Sequence, residues 1–147
     1  MQTILVVSAL VQAAVPATAQ NWHLASDGGD PPARFERWMD ADSIQREGDA
    51  IRFRVLEIQE QPNRWGFDRS MILFQADCAA RTYRIVEFTP YKPTGENFTS
   101  PGRSGVQPPP PVDSVMGETI EVACGRHAPQ LRTADPVAIT HTAWGRR

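Results

Sequence analysis

Two cysteines, Cys78 and Cys124, follow an N-terminal segment with the pattern of a cleavable export signal. Met1–Ala19 contains an apolar run shorter than the roughly 20 residues that a membrane-spanning helix needs, and it ends in small residues that signal peptidase accepts. We interpret this segment as a signal peptide, with a buried N-terminal helix as the alternative. Export would place the mature chain, which begins at Gln20, in the periplasm or outside the cell, where disulfide bonds persist.

The remaining chain has the length of one domain with one modest hydrophobic core. Its formal net charge is −2, and no later stretch is long and apolar enough to cross a bilayer. A weak negative charge does not attract nucleic acid. We therefore expect neither a nucleic-acid partner nor membrane insertion.

Alternating apolar and polar residues predict a sheet. Ile51, Phe53 and Val55 alternate with charged residues, which is typical of a strand buried on one face. After Val55 the apolar positions shift to Leu56 and Ile58, which predicts a bulge or a strong twist. The predicted strands are Asn21–Ser26, Arg34–Met39, Ala50–Glu60, Ser70–Asp77, Arg81–Tyr91 and Thr94–Thr99.

One amphipathic helix is predicted after the strands. Asp113 or Ser114 can cap it, and it runs to Cys124. Four residues form its apolar stripe at helical spacing: Met116, Ile120, Ala123 and Cys124. Glu118 and Glu121 lie off that stripe, so we expect both carboxylates to be solvated.

The two periodicities turn both cysteines toward the same interface. Ile72, Phe74 and Ala76 lie on the buried face of their strand, and Cys78 continues that face. Cys124 ends the apolar stripe of the helix. We predict a disulfide bond that fastens the helix to the sheet, with two free buried thiols as the alternative. The chain has no C-x-x-C motif, which argues against a redox-active pair.

Two segments differ in composition from the predicted domain, which covers residues 20–124. Ser100–Pro111 includes four consecutive prolines, Pro108–Pro111, which favour a stiff extended spacer. Gly125–Arg147 shows no usable period, so we expect a loosely attached or disordered tail.

The residues that catalysis or metal binding would need are sparse. The three histidines, His23, His127 and His141, form no metal-ligand motif, and we predict no metal or other cofactor. Ser43 lies near Asp40 and Asp42 in a predicted turn, Asp40–Ser43, where turn hydrogen bonds are favoured over a nucleophilic role. We therefore predict no catalytic residues.

Two sets of residues are candidates for ligand contact. Trp65 and Phe67 flank a glycine in a polar loop, where exposed aromatic side chains often mark contact sites; packing against the core is the alternative. Arg52 and Arg54, with Arg84 nearby, could attract acidic ligands from the wet face of the sheet; an ordinary solvated face is the alternative.

Several blocks of the sequence resemble the surface-adhesin protein E family of secreted bacterial proteins. The resemblance extends from Trp22 to Cys124 and includes the cysteine pair. The blocks are Trp22, Trp38–Ile44, Gly48–Asp49, Asp77–Arg84, Pro111–Val115 and Ala123–Cys124. The resemblance implies an α+β fold in which an antiparallel sheet of about six strands has a C-terminal helix on its concave face, tied by a disulfide bond. It also implies homodimers, adhesion to host matrix proteins and, in some members, haem binding, although no family binding motif maps onto residues of this chain.

We therefore predict an exported, non-enzymatic binding module that recognises a protein or another component of the envelope or host matrix. A periplasmic structural or assembly factor is the alternative. A periplasmic hydrolase is a third hypothesis, which would require His23 to lie beside Ser43 or another hydroxyl group.

Overall fold

A computed structural model describes residues 20–102 and 105–145. The predicted signal peptide, Met1–Ala19, lies outside the described residues. The elements are, in chain order, β1 Trp22–Gly28, β2 Phe35–Glu47, β3 Ala50–Gln59, β4 Arg69–Asp77, β5 Tyr83–Tyr91, β6 Ser100–Pro101, α1 Val115–Ala123, β7 Leu131–Thr133 and α2 Pro136–Ala143.

The strands form one antiparallel sheet in the order β6-β5-β4-β3-β2-β1-β7. Strands β1 to β5 are neighbours in sequence and in space, which short turns allow in an antiparallel sheet. Gly48 permits one such turn between β2 and β3, with φ +61°. The predicted α+β fold is confirmed, with one strand more than the six or so expected.

One face of the sheet carries the larger core, and α1 packs on it. We call this side the α1 face. Alternate residues of β3 point to it because side chains in a strand alternate between the two faces. Its fully enclosed residues are Ala25, Met39, Ile51, Phe53, Val55, Ile72, Phe74, Ala76, Val122 and Ala123.

The opposite side, which we call the α2 face, carries a second core. Leu56 and Ile58 pack there with Trp22, Leu24 and Trp38, and residues of α2 cover them. The predicted bulge after Val55 is wrong, because β3 pairs in continuous register with both neighbours at this point. The shift of apolar positions instead marks the point where burial passes from the α1 face to the α2 face.

The expected loose tail is also wrong for the described residues 125–145. β7 pairs with β1, and α2 begins at Pro136 with Asp135 as its N-cap. Thr140 is fully buried, and Val137 and Trp144 pack on the second core. Only a few side chains of the tail make these contacts, so they leave no periodic pattern in the sequence.

Two smaller expectations need correction. The predicted turn Asp40–Ser43 is an irregular excursion within β2, which continues to Glu47. The expected local bonds do form: Asp40 Oδ1 accepts from the Asp42 amide at 3.1 Å. The predicted strand Thr94–Thr99 is irregular apart from an isolated bridge between Asn97 and Tyr91, and the sixth strand is the two-residue segment Ser100–Pro101.

Candidate functional site

The N-terminus of α1 and both cysteines lie where the sequence predicted them. Ser114 caps the helix, its Oγ accepting from the Gly117 amide at 3.1 Å. Cys78 and Cys124 are disulfide-bonded, with their Cα atoms 5.8 Å apart. The bond joins the end of β4 to the end of α1. The helix is therefore fixed on the sheet at its C-terminus.

A buried ion cluster surrounds this end of α1, which corrects the expectation that Glu121 is solvated. Glu121 is 5% exposed and lies 2.6 Å from Arg126 and 3.0 Å from Arg81. Hydrogen bonds from Arg126 and then Arg81 lower the pKa of Glu121 from its ordinary value of 4.5 to about 2, although burial opposes this shift. Arg126 also donates to the Cys78 carbonyl oxygen at 2.6 Å. The cluster thus reinforces the disulfide at the same place.

The loop between β3 and β4 forms the first wall of an open groove. Asn63 Oδ1 accepts hydrogen bonds from the backbone amides of Trp65 at 3.0 Å and Phe67 at 3.2 Å. Gly66, with φ +84°, lets the chain reverse between the two aromatic residues. Because the turn is internally hydrogen-bonded, the backbone that carries both rings is in place before any ligand arrives.

The chain that follows β5 forms the second wall. A turn closes between Lys92 and Gly95, whose amide donates to the Lys92 carbonyl at 2.9 Å. The ring of Phe98 meets Phe67 edge to face, with ring centroids 5.7 Å apart. Lys92 Nζ lies 2.9 Å from Glu96, so the positive charge of this turn is compensated.

The two walls enclose a cavity of about 570 Å³ that we call the aromatic groove. Trp65 is 61% exposed and Phe98 is 55% exposed, which is high for large apolar side chains. Phe88 forms part of the floor and belongs to the α1 face, through its pairing with Ile72. The groove is lined by Asn63, Trp65, Phe67, Phe88, Pro90, Lys92, Glu96 and Phe98.

The structure brings Trp65 and Phe67 together in this groove, and Trp65 does not pack against the core. Phe88, Pro90 and Phe98 were not predicted as contact residues. Strand order alone could have indicated them, because the loop entering β4 and the loop leaving β5 meet at the same end of an antiparallel pair.

Arg52 and Arg54 lie elsewhere, exposed on the α2 face. Arg84 is in the same row as Arg52 across β4, and it donates to Gln75 Oε1 at 2.7 Å. Three carboxylates lie on the same face as these arginines, so the face carries both positive and negative charges: Asp40, Glu47 and Glu87. The structure therefore does not join the arginines to the aromatic groove.

The serine considered as a nucleophile is engaged in backbone hydrogen bonds. Ser43 Oγ donates to the Asp40 carbonyl at 2.7 Å and accepts from the Arg54 amide at 2.9 Å. His23 Nε2 is buried and has no hydrogen-bond partner among the described residues. Burial, followed by the charge of Arg132, lowers the pKa of His23.

In residues 20–102 and 105–145, no three histidine, cysteine, aspartate or glutamate side chains are grouped so that they could bind a metal ion. In the same ranges, no helix has the length and apolar character needed to span a membrane.

The fold and the disulfide define a small α+β domain with an exposed aromatic groove, and the sequence comparisons identify its family. The model of the surface-adhesin protein E family matches residues 26–125, so the chain belongs to that family. Searches of curated proteins and of solved structures found no match. Family membership supports a surface-adhesin-like role and an exported or cell-surface location.

Proposed function

We propose that this protein is a non-enzymatic exported binding module whose aromatic groove recognises a protein of the cell envelope or host matrix. The observation that supports this most directly is the exposure of Trp65 and Phe98, two large apolar side chains, in one groove of about 570 Å³. Tryptophan is enriched among the residues that dominate binding energy at interfaces. An adhesin needs such a surface.

The rigidity of the two walls strengthens the proposal. Asn63 fixes the loop with Trp65 and Phe67, and the Lys92–Gly95 hydrogen bond fixes the opposite turn. A ligand that binds preformed walls loses less conformational entropy than one that must order them. The same residues on flexible loops would bind more weakly.

The chemistry of the groove favours a protein segment with apolar side chains as its occupant. Five lining residues are apolar, and the Lys92–Glu96 pair compensates its own charge at the rim. A side chain that covers Trp65 and Phe98 would bury apolar area, at about 25 cal/mol per Å².

A solid-phase binding assay tests the proposal. Oxidised mature protein is applied to immobilised laminin, fibronectin and detergent-extracted envelope proteins, and bound protein is quantified. Trp65→Ala and Phe98→Ala should each reduce binding to the retaining surface at least about tenfold. Val106→Ala is the matched control, since Val106 is 68% exposed and lies outside the groove. Equal binding by all four proteins would refute the proposal.

Location and self-association belong to the same proposal and are tested separately. Protease treatment of whole cells should cleave a surface-displayed protein and spare a periplasmic one. Light scattering measures the mass of the purified protein. If a dimer forms and Trp65→Ala converts it to a monomer, the groove binds a second copy, and the proposed external ligand is wrong.

A further inference from the structure

We infer that the partner segment bound in the aromatic groove is an extended peptide with an acidic residue next to its apolar side chains. This inference rests on the proposed function and specifies the chemistry of the ligand. Three features of the groove lead to it. The indole N–H of Trp65 is exposed, Arg64 has no ion pair among the described residues, and the ammonium group of Lys92 is already paired with Glu96.

Arg64 supplies the positive charge at the rim. Its guanidinium lies 4.0 Å from the centroid of the Trp65 ring. Arg64 is exposed, and within the described part of the chain no carboxylate forms an ion pair with it. A stacked guanidinium keeps its hydrogen-bond donors for a carboxylate of the ligand.

The other charges near the groove are already paired. Lys92 lies 2.9 Å from Glu96. Asp68, the next carboxylate along the loop after Arg64, is buried and lies 3.4 Å from Arg69. Arg64 is therefore the charge at this rim to which a ligand can respond, and charge complementarity favours an acidic partner.

The indole of Trp65 indicates a peptide backbone. Trp65 is 61% exposed, so its indole N–H is open to solvent and would need a hydrogen-bond acceptor from any ligand that covers the ring. Extended peptide segments offer carbonyl oxygens that are not bonded internally. An acyl chain has none along its length, so it would satisfy the apolar walls but not this donor.

The chain contains a segment of matching composition, which provides a model ligand. Residues 107–113 read Gln-Pro-Pro-Pro-Pro-Val-Asp, and Val112 and Asp113 are exposed. Within the folded protein, the Pro110 carbonyl accepts from Arg81 at 3.1 Å and the Pro111 carbonyl accepts from Ser114 Oγ at 2.6 Å. Because these acceptors are already used, we assign the groove to a segment of another protein rather than to a second copy.

The experiment titrates oxidised protein with two synthetic peptides that are amidated at the C-terminus, residues 107–113 and the same peptide with lysine in place of Asp113, and measures binding by isothermal titration calorimetry. The Asp-ended peptide should bind about fivefold more tightly at low ionic strength, and the difference should shrink at high salt. Arg64→Glu should reverse the preference. Arg132→Gln, an exposed arginine on β7, is the control and should leave the ratio unchanged.

Each outcome separates the inference from the proposed function. Equal affinity for the two peptides, or a preference that Arg64→Glu does not reverse, would overturn the acidic ligand while leaving the aromatic groove as a binding site. Binding that survives Trp65→Ala would overturn both. Concentration-dependent self-association that Asp113→Lys abolishes would assign the groove to a second copy, and it would overturn the choice of partner made here.

Discussion

The two helices cover opposite faces of one sheet, and different interactions attach them. On the α1 face, a disulfide and the buried cluster around Glu121 fix the helix at its C-terminus. On the α2 face there is no covalent link, and α2 is attached by apolar packing and a small buried hydrogen-bond cluster. In that cluster Trp38 Nε1 donates to Glu36 at 2.9 Å, and Thr140 bonds both side chains.

The difference shows how a short chain can stabilise two thin cores. A helix of nine residues buries little surface, so a cross-link that reduces the entropy of the unfolded chain is a large addition. The α2 helix has eight residues but covers Trp38, whose large side chain is completely buried. The core on the α1 face therefore depends on the disulfide, and the core on the α2 face depends on the buried side chain of Trp38.

Removing the disulfide should have the largest effect. The bond closes a sequence separation of 46 residues, and the chain-entropy model gives it about 4 kcal/mol. We expect the Cys78→Ala/Cys124→Ala variant to lose about that much free energy of unfolding in urea titrations. The oxidised parent protein is the reference. A loss below about 1 kcal/mol would mean that packing alone attaches α1, and the contrast between the two faces would disappear.

Neutralising Glu121 should have the next largest effect. Glu121→Gln leaves Arg81 and Arg126 without their shared carboxylate, and we expect a loss of about 2–3 kcal/mol at neutral pH. Glu118→Gln on the same helix is the control, because Glu118 makes no ion pair among the described residues.

The same carboxylate predicts a pH dependence. Its pKa is about 2 in the folded protein and near 4.5 when unfolded. A depressed pKa stabilises the fold above the unfolded value, so this contribution should be complete above pH 4.5 and be lost as the pH falls toward 2. Urea titrations across this range should show a steeper decline for the parent than for Glu121→Gln. Parallel curves would contradict the ion cluster.

On the other face, Thr140→Val should have a moderate effect. Valine keeps the volume but removes the hydroxyl between Trp38 and Glu36, and we expect a loss of about 1–2 kcal/mol. Thr142→Val tests the same substitution on the exposed side of α2, where the Thr142 hydroxyl donates to the Ala138 carbonyl and has no other hydrogen-bond partner among the described residues. If both variants lost equal stability in thermal unfolding, the buried cluster would not attach the helix.

The smallest effect on stability should come from Trp65, which belongs to neither core. Trp65→Phe should change the free energy of unfolding by less than about 0.5 kcal/mol. The same substitution should remove the largest share of iodide quenching of tryptophan fluorescence, since Trp22 and Trp38 are buried and Trp144 is half-buried. Trp38→Phe is the control for quenching. Unchanged quenching in Trp65→Phe would mean that the groove is closed in solution.

Much of the α1 face could be predicted because its signals are local. Alternation in β3 and β4 indicated the buried side, and helical spacing placed Cys124 on the matching side of α1. Both patterns repeat over several residues. The burial and ion pairing of Glu121 could not be predicted in this way, because its partner Arg81 lies in a distant segment that only the fold brings close to the helix.

The α2 face was missed for the opposite reason. α2 contributes few buried residues, and among the best enclosed are Pro136 and Thr140, which a hydrophobic pattern does not detect. The shift from Val55 to Leu56 was visible in the sequence, but it was interpreted as a bulge or a strong twist. A strand that is apolar on one side and then on the other also indicates a second covering layer, and the chain after Gly125 was the segment available to form it.

Periodicity and the chemistry of a few neighbouring residues were enough to predict most of the strands, the helix that begins after Ser114 and the pairing of Cys78 with Cys124. Tertiary structure decided the second core, the charge cluster at Glu121 and the aromatic groove. These depend on which distant segments meet at one end or one face of the sheet, and side-chain spacing along the chain does not record that proximity.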